Sequence, residues 1–84
     1  MKRKFSWDGI SIERLDALVR LSRCESILAA NGNDTVSANL MGRQIRELIE
    51  AIDVQLTKKE GRQTALNEKG HELARLASNF FDAI

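Results

Sequence analysis

Arg43 and Arg46 stand one helical turn apart in a stretch with helical apolar spacing, and Lys58, Lys59 and Arg62 cluster a little further on. A guanidinium carries five N–H donors in a rigid fork that matches a guanine edge or a phosphate. A lysine ammonium neutralises phosphate without reading sequence. Just ahead of the arginines, Ser37 and Asn39 could donate to phosphate or base edges, as could the free amides of a helix start. Ala38 and Gly42 fall on the same stripe. The chemistry these residues suit is recognition of a polyanion. Taken alone, the two arginines fit better a solvated helix face paired with Glu47 and Glu50 at helical spacing.

Catalysis has little to stand on. His71 is the only histidine and is expected on the polar side of the last helix. Cys24 is the only cysteine, which excludes an intrachain disulfide and a four-cysteine zinc site, and it reads as a small residue beside the core. No glycine-rich phosphate loop and no paired metal-ligand motif occurs. Neither an enzyme, a cofactor, a metal nor a small-molecule site is expected.

The 13 Lys and Arg nearly balance 12 Asp and Glu, leaving a net charge of +1, so any anion-binding surface must come from local clustering. Lys2, Arg3 and Lys4 form a further basic group at the start. With no signal-peptide pattern and no run near the roughly 20 apolar residues of a membrane helix, a cytoplasmic setting is expected. The 84 residues amount to one small domain, with no room for an effector-binding domain. An isolated module, a truncated chain and a natural short relative all stay open.

The positioning elements follow from caps and periodicity. Residues 1–10 read as an N-terminal arm, with Gly9 breaking regularity. Ser11 caps a first helix over about 11–24, with Ile12, Leu15, Leu18 and Val19 on its buried face and Arg14, Asp16, Arg20 and Arg23 on the other. Ser26 caps a short second helix whose Ala29 and Ala30 permit close helix contact. Asn31-Gly32-Asn33-Asp34 is the strongest turn signal. A third helix, capped by Ser37, runs to about Asp53. Met41, Ile45, Leu48, Ile49 and Ile52 form its packing stripe, and Ala38, Asn39, Gly42, Arg43, Arg46 and Glu50 an adjoining exposed one. Leu40 lies outside the packing stripe and is expected to touch the second helix. Val54-Gln55-Leu56 and Thr64-Ala65-Leu66 are strand candidates around a Lys-Lys-Glu-Gly-Arg tip. Asn67 caps a last helix with a long apolar stripe of Leu73, Leu76, Ala77, Phe80, Phe81 and Ile84.

Between Val36 and Gly70 the chain resembles the N-terminal DNA-binding domain of LysR-type transcriptional regulators. The resembling residues are Val36-Ser37, Arg43-Gln44-Ile45, Leu48, Val54-Gln55-Leu56, Gly61-Arg62, Leu66 and Gly70. Where that family carries a Ser-Gln-Pro-Ala-like opening to its recognition helix, Ser37-Ala38-Asn39-Leu40 stands here, with Gly42 in place of the usual serine. The resemblance implies an α+β, mainly helical winged helix-turn-helix over residues 11–66, with a two-stranded wing, and a linker and dimerisation helix over 67–84. It implies double-stranded DNA as partner and a homodimer joined through the last helix. DNA contact is then expected from Ser37, Ala38, Asn39, Gly42, Arg43 and Arg46, with Lys58, Lys59 and Arg62 as the wing. The rival reading keeps the same fold for protein association or dimerisation, with the DNA face lost at Ala38, Leu40 and Gly42.

Overall fold

A computed structural model describes residues 9–84; Lys2, Arg3 and Lys4 lie outside them, as does most of the expected arm. Four helices and one hairpin follow in the order α1 (Ile12–Ser22), α2 (Ile27–Ala30), α3 (Thr35–Ile52), β1 (Thr57–Glu60), β2 (Gln63–Leu66) and α4 (Glu68–Ala83). The fold is α+β and mainly helical. Among the described residues no helix is long and apolar enough to cross a membrane.

Each helix start is fixed by a side chain that accepts an otherwise unpaired amide. Ser11 accepts from the Arg14 amide at 3.1 Å and Ser26 from the Ala29 amide at 3.1 Å. Asn67 accepts from the Gly70 amide at 2.8 Å. The third helix departs from expectation. Its cap is Asp34, not Ser37, and the Asp34 carboxylate accepts from the Val36 amide at 3.3 Å. The turn before it places Gly32 and Asn33 at φ of 60° and 64°, so the chain leaves the left-handed region one residue before Asp34 and the helix begins at once.

Gly9 does more than break regularity. It lies against Ala51 near the end of α3, where a Cβ on residue 9 would overlap the Ala51 side chain. Ile10 packs on the core beside it. The last two residues of the expected arm therefore belong to the domain.

Leu18, Leu21, Met41, Ile45, Leu48 and Leu56 form the fully buried centre. Because α1 touches α2, α3, α4 and β2, it buries a wide arc, Ala17, Leu18, Val19 and Leu21. Ile12, expected on the buried face, is exposed, and Leu15 is half-buried. Cys24 is exposed just past the helix end, not tucked beside the core. At α2 the close approach to α3 is made by Ile27 over Gly42, while Ala29 faces solvent.

The hairpin is shifted from its expected place. Pairing starts at Thr57 and joins Thr57 to Leu66, Lys58 to Ala65, Lys59 to Thr64 and Glu60 to Gln63. Val54-Gln55-Leu56 is a lead-in without strand pairing, and Leu56 is buried in the core. Gly61 has φ of 64° at the first of the two loop residues, the position a tight II′-type hairpin gives to glycine.

Candidate nucleic-acid interface

Asn39, Gly42, Arg43 and Arg46 from α3 line one side of a groove of about 520 Å³, and Arg62, Gln63 and Thr64 of the hairpin line the other. Ile27 and Leu28 of α2 close it behind. The hairpin is thus brought beside the middle of α3, and three guanidinium groups converge on one concave surface. Packing explains the arrangement. Ala38, Met41, Ile45, Leu48 and Ala51 turn inward from α3, which leaves Asn39, Arg43 and Arg46 outward.

The ion pairing of the two helix arginines discriminates between their possible roles. Glu47 is held by Arg14 of α1 at 3.1 Å, not by Arg43. Among the described residues neither Arg43 nor Arg46 has a carboxylate within ion-pair distance; the pairs present are Arg14–Glu47, Arg20–Asp16 and Lys58–Glu60. Both arginines are exposed, so their donors are available to a ligand. A solvated face laced by Arg–Glu pairs is not what α3 presents.

Other expected contacts are rearranged. Ala38 is buried, and its methyl forms part of the groove floor, so it sets the position of Asn39 and does not reach outward. Ser37 is exposed, but its hydroxyl donates to the Asp34 carboxylate at 2.7 Å. That hydrogen bond, followed by the one from the Val36 amide, holds the Asp34 carboxyl below its ordinary value of 3.8. A carboxylate therefore stands where free amides were expected to meet phosphate, and it disfavours an anion there. Gly42 is half-buried beneath Ile27. Leu40, expected against α2, is 49% exposed, and Val36 is 76% exposed on the same outer stripe.

The hairpin cations do not act as a set. Successive strand residues point to opposite faces. Lys59 pairs with the groove residue Thr64 and so projects from the same strand face, without itself lining the groove. Lys58 lines the opposite cleft with Glu60 and Ala65, and its ammonium lies 3.9 Å from the Glu60 carboxylate. Lys58 thus stands apart from Arg43, Arg46, Lys59 and Arg62. His71 lines that opposite cleft. Among the described residues no group of three His, Cys, Asp or Glu side chains is placed to hold a metal ion.

The last helix has two apolar faces, which its sequence merged into one. Gly70, Ala74 and Ala77 are buried, and α4 packs principally on α1. Ala77, expected at a dimer contact, therefore belongs to the intrachain core. Phe81 is half-buried and lines a cleft with Ile12 and Val19 of α1. Leu76, Phe80 and Ile84 are 53%, 52% and 84% exposed, and Leu73 is half-buried next to Ile52 and Val54.

Compared with known protein families, curated proteins and solved structures, the chain matches none. The functional reading accordingly rests on the residues and their placement.

Proposed function

We propose that this chain is a winged helix-turn-helix module, LysR-like in design, that binds double-stranded DNA in the cytoplasm as part of a transcription regulator. In this reading α2 and α3 are the helix-turn-helix, the Thr57–Leu66 hairpin is the wing, and α3 enters the major groove from its N-terminal half. The observation that carries it is the pair of exposed arginines, Arg43 and Arg46, without carboxylate partners among the described residues and facing the same groove as Arg62. Asn39, Arg43 and Arg46 serve base edges or phosphates, and Lys59 and Arg62 the backbone. Glu47 and Glu50 follow on α3, so contact ends at Arg46. A homodimer joined through the exposed Leu76, Phe80 and Ile84 stripe would present two such helices to adjacent half-sites.

A salt titration of binding to a random duplex tests the reading. Each phosphate neutralised contributes about −0.9 to the slope of log affinity against log salt. Lys59 and Arg62 alone give a slope of about −2 per protomer, and all four cations about −4. Absence of binding at low salt would instead support the protein-association reading, which the exposed Val36 and Leu40 and the acidic helix start at Asp34 favour.

A further inference from the structure

Val36 and Leu40 are large apolar side chains on the outer surface of the first two turns of α3, 76% and 49% exposed. Four residues apart, they lie one above the other, and Arg43 continues the same stripe one turn on. Neither closes the core, which α3 reaches through Ala38, Met41 and Ile45. Two polar groups of this helix start are already used. The Val36 amide and the Ser37 hydroxyl both donate to Asp34, whose carboxylate carries negative charge at the helix tip. A phosphate is repelled there, so this end of the helix cannot be anchored on the DNA backbone as helix starts commonly are. Resting on the DNA-binding reading above, the same end must then face base edges. On the major-groove edge the apolar feature that marks a base pair is the C5-methyl group of thymine.

We propose that Val36 and Leu40 are specificity-determining residues that pack on thymine C5-methyl groups, placing thymines next to the bases met by Arg43. The recognition element is then mixed: methyl contacts from the first two turns and guanidinium contacts from the next.

The test uses the duplex that the chain selects from a random-sequence pool, with each thymine replaced singly by uracil, which removes the methyl and keeps every base-pair hydrogen bond. Dissociation constants are measured for the wild type, Val36→Ala and Leu40→Ala, with circular dichroism as the folding control. The expected result is a loss of about fourfold per methyl at one or two thymines of a half-site, the size of one buried carbon. At those positions the corresponding alanine variant no longer distinguishes thymine from uracil, and the salt slope is unchanged in both variants. The proposal is overturned, with DNA binding left standing, if every uracil is neutral in the wild type. It is equally overturned if the uracil effects persist in both variants, or if duplexes are bound but none is selected. If no duplex is bound at low salt, the proposal and the DNA-binding reading fall together.

Discussion

The Arg14 guanidinium donates to a Glu47 carboxylate oxygen at 3.1 Å and to the Gly9 carbonyl at 3.2 Å, tying α1 and the chain that enters it to the middle of α3. One side chain thus anchors α3 and occupies the carboxylate that helical spacing would offer to Arg43. Breaking the pair from either side is expected to cost about 0.2–1 kcal/mol of stability, since both partners are partly solvated. The effects on duplex binding should have opposite signs. Arg14→Ala leaves a bare carboxylate one turn from Arg43 and weakens binding, whereas Glu47→Gln removes that charge and strengthens it. Urea melts paired with fluorescence anisotropy check both, and equal loss of affinity in the two variants would contradict the argument.

Two glycines in helices should respond to alanine with opposite signs. At Gly42 an added Cβ meets only the end of Ile27, at 3.9 Å, so helix propensity decides and Gly42→Ala should stabilise by up to about 1 kcal/mol. At Gly70 the same atom would fall on the Leu56 carbonyl oxygen and crowd Leu66. The clash outweighs the propensity gain, and Gly70→Ala should destabilise by about 1–3 kcal/mol. For a domain of this size each kcal/mol moves the melting temperature by about 4–8 °C, so thermal melts resolve both signs.

Asp34 links acid stability to the binding face. Its folded pKa is depressed, first by Ser37 and then by the Val36 amide. Its contribution is therefore fully present above the unfolded pKa and lost as pH falls through the folded one, below the ordinary value of 3.8. Asp34→Asn keeps a competent cap without the charge. We expect little change in neutral-pH stability, a weaker dependence of stability on pH on the acid side, and tighter duplex binding. Denaturant midpoints at neutral and acid pH, with binding at neutral pH, provide the check; an unaltered acid profile would remove Asp34 from the account.

In the hairpin, Lys59→Ala and Arg62→Ala should each lower duplex affinity across sequences and reduce the salt slope by about 1. Lys58→Ala should leave the slope unchanged, because Lys58 lies on the opposite face beside Glu60. Equal slope changes in all three variants would mean that the hairpin turns on binding.

Self-association is expected to be weak. Leu76 and Phe80 are already half covered, so a dimer gains about half of the roughly 1.5–3 kcal/mol available from burying each side chain. With Ile84, and counted on both protomers, the gain is about 6–11 kcal/mol against an association cost of about 4 kcal/mol or more, so dimers should appear only at about ten micromolar and above. Phe80→Asp should abolish them, whereas Phe81→Asp should chiefly disturb the packing of α4 on α1. Sedimentation across that range decides, and a wild type still monomeric at tens of micromolar would end the dimer proposal.

What the sequence by itself determined is the locally encoded part. Ser11, Ser26 and Asn67 cap their helices through amides three residues away, and Asn31-Gly32-Asn33-Asp34 turns because Gly32 and Asn33 tolerate positive φ. Apolar spacing along α3 marked its inner stripe for the same reason, since periodicity is a property of one helix. Which of two capping residues, Asp34 or Ser37, starts α3 depended on where the turn releases the chain, and Asp34 comes first. The hairpin register came from a two-residue loop at Gly61-Arg62, which sets Thr57 opposite Leu66 and sends Leu56 into the core. The split of the α4 stripe was invisible in one dimension: Ala77 and Phe80 are both apolar, and only the position of α1 makes one internal and the other exposed. Most decisive for function, Glu47 pairs with a residue 33 positions away. Tertiary packing alone brings Arg14 to Glu47, and that choice leaves Arg43 exposed beside the groove without an ion-pair partner among the described residues.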